Sequence, residues 1–91
     1  MCRIVRTLTI RNKKGLHARA SARFVQTVED FDAKVTVSKD DTSVGGTSIM
    51  GLMMLAASRG STIDVTSEGL DAERVMDAIE ALVDNKFGEG E

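Results

Sequence analysis

The sequence predicts an α+β open-faced β-sandwich of βαββαβα order: a four-stranded antiparallel sheet covered on one face by three helices. Three observations carry this reading. Segments 33–38 and 62–66 alternate apolar and polar residues, as half-buried strands do. Segments 18–31 and 71–86 repeat apolar residues at helical period. Turn signals separate these segments, with no linker or low-complexity stretch between them. At 91 residues and 9.8 kDa, one domain over residues 1–91 is expected. Area scaling gives such a chain roughly 5,200 Å² of exposed surface and about 64% burial, enough for one thin core.

The first element is a strand at 3–10, RIVRTLTI. Ile4, Leu8 and Ile10 share one face and Arg6 interrupts it, as suits an edge or end strand. Asn12-Lys13-Lys14-Gly15 is a turn. In the helix that follows, Ala20, Ser21, Phe24, Val25, Val28 and Phe31 face inward, and Arg19, Arg23, Gln26 and Asp30 face outward. Ala33, Val35 and Val37 mark the second strand. Asp40-Asp41 turns it into a short return strand, Thr42-Ser43-Val44, which ends at Gly45-Gly46. Residues 48–57, SIMGLMMLAA, are apolar on nearly every side of a short helix. Ile63 and Val65 mark the fourth strand, broken at Glu68-Gly69. The last helix runs from Asp71 to Lys86 on a stripe of Ala72, Val75, Met76, Ile79, Leu82 and Val83. Asp71 and Glu73 fall in its first turn, where acids suit the macrodipole, and the tail GEGE at 88–91 is expected to fray.

Composition excludes several classes. Hydrophobic residues make up 42% and charged residues 29%, with mean hydropathy −0.09, an ordinary globular balance. No apolar run approaches the roughly 18 residues that span a bilayer. The stretch MCRIVRTLTI carries charges inside its apolar run, unlike a signal peptide. Cys2 is the one cysteine, so no internal disulfide forms, which fits a reducing cytoplasm. One histidine and one cysteine do not build a zinc site, and neither metal nor cofactor is expected. Without Trp or Tyr, and with three Phe, the chain has no stacking platform for nucleic acid. The formal charge of −2 hides an asymmetry: residues 1–23 carry seven Lys/Arg and no acid, whereas residues 64–91 carry nine acids and two bases. The basic end is expected to steer an acidic partner, and the acidic end to be a solvated face.

The stretch richest in chemistry is Gly15-Leu16-His17-Ala18-Arg19. It puts His17, the single histidine, where a loop becomes a helix. Helix N-termini leave amides without intrahelical partners and favour anions. Imidazole is a nucleophile near neutral pH, and positive surroundings favour its neutral form. Arg19 and Arg23, one turn apart, offer charge-assisted bonds to a phosphoryl group. The residues describe a reversible phosphohistidine site. A helix-capping or plain surface histidine is the simpler alternative.

GLHARASARFV at 15–25 resembles the active-site motif of the HPr family, phosphocarriers of the bacterial phosphotransferase system. SIMGLMMLAAS at 48–58 resembles that family's regulatory serine and short second helix, and the strand order agrees along nearly the whole chain. FDAKV at 31–35 and DNKFGEGE at 84–91 look nearer the nitrogen-branch relative, NPr. The resemblance implies a carrier in a relay rather than an independent turnover enzyme. His17 accepts a phosphoryl group on Nδ1 from phosphorylated enzyme I, then passes it to an enzyme IIA protein. Arg19 assists, and Ala18, Arg19, Ala20 and Arg23 bind the phosphate. Two positions depart from the family pattern: Ala20 stands where proline is usual, and Thr47 where lysine is frequent before the serine. Alanine restores one amide donor at position 20, which is expected to contact the phosphate or the cap.

Ser48, after Gly45-Gly46-Thr47, is well placed as a helix N-cap. By the resemblance it is also a target of HPr kinase/phosphorylase. The two roles are compatible, because phosphate adds about −2 charge at a helix N-terminus. Ile49, Met50, Leu52 and Met53 are expected to form an apolar docking patch beside His17, since methionines suit a surface that meets several partners. A monomer suits a carrier that shows one histidine to successive proteins. The alternative is an HPr-like regulator acting mainly through Ser48. A ferredoxin-like metal chaperone shares the element order but would want a Cys-x-x-Cys loop, which is absent. An RNA-binding module lacks both excess positive charge and stacking aromatics.

Overall fold

The computed structural model describes residues 3–88; Cys2 and residues 89–91 of the expected frayed tail lie outside them. Its elements are β1 (Arg3–Thr9), α1 (Ala18–Glu29), β2 (Lys34–Lys39), β3 (Thr42–Gly45), α2 (Ile49–Met54), β4 (Thr62–Glu68) and α3 (Ala72–Asp84). The sheet is antiparallel throughout, in the order β1-β4-β2-β3. This is the predicted open-faced sandwich, with β1 on an edge. Accessible surface is 5230 Å², in line with the scaling expectation.

Strand alternation sets the core. Leu8, Val35, Val37, Ile63 and Val65 point under the helices and are buried, while Thr7, Thr62 and Asp64 face solvent on the bare side of the sheet. Phe24, Val28, Val75, Met76, Ile79 and Val83 meet them from α1 and α3. Ser67 also faces inward. It is fully buried, and its hydroxyl donates to the Ala72 carbonyl at 2.8 Å, tying β4 to the start of α3. The Asp71 carboxylate accepts the Asp32 amide at 2.8 Å and makes no capping bond to its own helix.

Arg6, the exception to the apolar face of β1, is explained by α3. Its guanidinium donates to Asp77 at 2.9 Å and to Glu80 at 2.8 Å. The hydrogen bond to Asp77, opposed by desolvation and helped by both carboxylate charges, holds the arginine above its ordinary pKa. The last helix stops two residues earlier than expected, at Asp84, because Lys86 and Phe87 take φ of 54° and 55°. Two successive left-handed residues cost about 1–2 kcal/mol each. The turn they make, Lys86–Gly88, drives the Phe87 ring fully into the core. Burial of such a ring offsets much of that cost, at roughly 1.5–3 kcal/mol.

Candidate functional site

His17 stands at the N-cap of α1, half-buried, with extended backbone (φ −78°, ψ −177°). Its side chain makes no capping bond to the helix. The first helical hydrogen bond runs from the Ser21 amide to the His17 carbonyl at 2.9 Å. The amides of Ala18, Arg19 and Ala20 therefore precede the helical ladder and line the end that His17 opens. Ala20 is itself fully buried, backbone included.

The approach to His17 is tightly bonded. The Gly15 amide donates to the Asn12 carbonyl at 3.2 Å, and the His17 amide to the Gly15 carbonyl at 2.9 Å. The Leu16 amide donates to the Ala57 carbonyl at 2.9 Å, which stitches this turn to the segment after α2. Gly15 has φ +65°, and a Cβ there would lie 2.2 Å from the Ala57 carbonyl oxygen. The two motifs of the sequence thus meet at one place, the His17 turn against the exit of α2.

Arg19 and Arg23 are both exposed. Arg23 reaches the C-terminal turn, where a Cβ on Gly88 would lie 2.6 Å from its guanidinium. Ser48 is exposed and caps α2, its hydroxyl oxygen accepting the Gly51 amide at 3.0 Å. Ser48 and the His17 turn adjoin opposite ends of α2, whose six residues span about 9 Å. On α2, Ile49, Met50 and Met53 are exposed, Met50 at 74%. Leu52 is a correction: it is fully buried, because with Leu55 it forms the single inward stripe of this short helix. Met54, also 74% exposed, takes its place on the outer surface.

The family model for the PTS HPr component phosphorylation site matches residues 4–85. The chain belongs to the HPr family. Among its relatives, the phosphocarrier protein HPr of Neisseria meningitidis serogroup A is 49% identical over 85 residues, 93% of this chain and 96% of the relative. The phosphocarrier protein NPr of Shewanella violacea is 42% identical over 89 residues, 98% of both. Among solved structures, HPr-C-His from Thermoanaerobacter tengcongensis superposes with a TM-score of 0.89 at 42% identity, covering 100% of both chains. An HPr dimer from the same organism superposes at 0.76 with 44% identity, over 90% of this chain and 94% of that one. HPr-family members are phosphohistidine carriers of the phosphotransferase system. No helix among the described residues is long and apolar enough to cross a membrane.

Two buried polar residues flank the histidine of this HPr-family chain and were not singled out as site residues in the sequence. The Asn12 side-chain amide donates to the Gly15 carbonyl at 2.8 Å, and the Ser21 hydroxyl to the Leu16 carbonyl at 3.3 Å. Asn12 reads as an ordinary turn residue; Ser21 falls on the inward face of the helix as expected, but no sequence signal announces its bond to the Leu16 carbonyl.

Proposed function

We propose that His17 accepts a phosphoryl group on Nδ1 from phosphorylated enzyme I and passes it to an enzyme IIA protein of the sugar or nitrogen branch. The observation that carries this is the position of His17 at the N-cap of α1, where the first three amides of the helix precede its hydrogen-bonded ladder. Nδ1 is the ring nitrogen nearer the backbone, so a group bonded there sits closer to those amides than one on Nε2. The incoming phosphorus bonds to the imidazole nitrogen as its bond to the enzyme I histidine breaks; the second transfer repeats this in the other direction. Little covalent chemistry is asked of the carrier. Alignment and charge stabilisation are what it supplies.

Arg19 neutralises the phosphoryl oxygens from the exposed face of α1. Arg23 and the amides of Ala18, Arg19 and Ala20 complete the phosphate-binding set. Ile49, Met50 and Met53 dock the partners, on a monomer in the cytoplasm. Ser48 is a regulatory site for an HPr kinase/phosphorylase. Its exposed oxygen is within reach of a kinase, and a phosphate there would meet the N-terminus of α2 without displacing a buried group. The test is incubation with phosphoenolpyruvate and cognate enzyme I. An acid-labile, base-stable phosphate on the wild type, absent from His17→Ala, is expected. Failure of any cognate enzyme I to label the wild type would defeat the carrier role and favour regulation through Ser48.

A further inference from the structure

Three polar side chains are fully buried among the described residues: Asn12, Ser21 and Ser67. Two of them converge on the chain just before His17. Asn12 holds the Gly15 carbonyl through its side-chain amide at 2.8 Å and the Gly15 amide through its own carbonyl at 3.2 Å. The same Gly15 carbonyl accepts the His17 amide at 2.9 Å. From the helix side, the Ser21 hydroxyl donates to the Leu16 carbonyl at 3.3 Å while its amide holds the His17 carbonyl at 2.9 Å.

Burying a polar side chain is costly unless it is hydrogen-bonded. Here the buried polar groups are spent on consecutive carbonyls, 15 and 16. His17 is therefore gripped from both sides, by its amide through Gly15 and by its carbonyl through Ser21. Backbone torsion limits which side-chain rotamers are allowed, so a fixed backbone at position 17 fixes the origin of the imidazole and narrows where it points.

We propose that Asn12 and Ser21 are positioning residues, a two-point clamp that sets the backbone of His17 and aims its ring at the incoming phosphoryl group. This rests on the carrier reading of His17. Neither residue touches the transferred group. Loss of the clamp leaves the nucleophile present but misaimed, and in-line transfer is sensitive to such errors, with displacements near 1 Å costing up to about 100-fold in rate.

The test compares Asn12→Ala, Ser21→Ala and the double variant with wild type. Two readouts separate aiming from folding: the kcat and KM for phosphorylation by phospho-enzyme I, and the imidazole ¹⁵N NMR pattern of His17 without any partner. Asn12→Ala is expected to lower kcat roughly tenfold with KM changed less than about twofold, the pattern of an interaction acting in the transition state. Ser21→Ala is expected to lower kcat by about two- to fivefold. The imidazole spectra should depart from wild type in the same order. Should Asn12→Ala fail to fold, Ser21→Ala, which removes one oxygen, decides by the same criteria. Folded variants with wild-type kcat and imidazole spectra would overturn the clamp. If the wild type takes no phosphate on His17, the carrier reading falls by itself, and the imidazole spectra still decide whether the clamp aims the ring.

Discussion

Gly15 is the residue on which the site turns. Its φ of +65° favours glycine, and the Ala57 carbonyl leaves no space for a side chain. Gly15→Ala is expected to destabilise the protein by at least about 2 kcal/mol, from steric displacement plus left-handed strain. A urea midpoint checks this, and an unchanged midpoint would refute the close approach. Ala20 is subtler. It is the third residue of α1, and its amide precedes the helical ladder, so a proline there removes no intrahelical bond. Ala20→Pro is expected to keep stability within about 1 kcal/mol and to shorten the phosphohistidine half-life, measured by phosphate release at neutral pH. The place of His17 at the start of α1 was legible from the glycine turn before it, but its role came from the resemblance of GLHARASARFV to the family motif, since a lone imidazole at such a junction also suits a cap or a plain surface residue. Asn12 was not legible, since a polar residue in a turn looks the same whether buried or wet, and for Ser21 helical period gave the inward face but not the bond to the Leu16 carbonyl. Phe87 was hidden for a related reason: its burial depends on two left-handed residues that no periodicity announces.

Within α2, sequence and structure agree on the cap and differ on the face. Ser48 was readable from its place after two glycines, and its bond to the Gly51 amide is the expected one. Leu52 was misplaced because the helix is apolar on nearly every side, so pattern alone does not choose the inward stripe. Packing chooses it, by setting Leu52 and Leu55 into the core and leaving Met50, Met53 and Met54 outside. Ser48→Asp places a carboxylate where the hydroxyl caps, and aspartate is as good a cap as serine. Stability is therefore expected to stay within about 0.5 kcal/mol by thermal melting, while phosphorylation of His17 by enzyme I slows. A slowing that follows loss of folding would contradict the docking role of this helix end.

The whole molecule revises the reading of its charge. The sequence divides the charge into a basic start and an acidic end, but the fold lays these against each other. Arg6 bonds Asp77 and Glu80, Arg11 approaches Asp84 at 3.6 Å, and Arg3 approaches Glu68 at 4.0 Å. The acidic end is thus partly a counter-charge that fastens edge strand β1 to α3 and β4, rather than only a solvated face. A charge sum has no register, so such pairing was invisible before the topology was known. Arg6→Ala is expected to cost roughly 1–2 kcal/mol in urea unfolding, against less than about 0.5 for Arg3→Ala, which is itself more exposed and stands farther from its partner. A raised arginine pKa stabilises fully below the ordinary arginine range and is lost only as pH rises through the folded value. The Arg6 cation therefore adds no pH dependence between about pH 6 and 9. What remains of the basic end includes Arg19 and Arg23, both exposed on α1, the helix that His17 opens. The most direct measurement of the central claim is a long-range ¹H–¹⁵N spectrum of the protein after phosphorylation by enzyme I. The account predicts phosphorus on Nδ1 of His17; phosphate on Nε2, or on any residue other than His17, would contradict it.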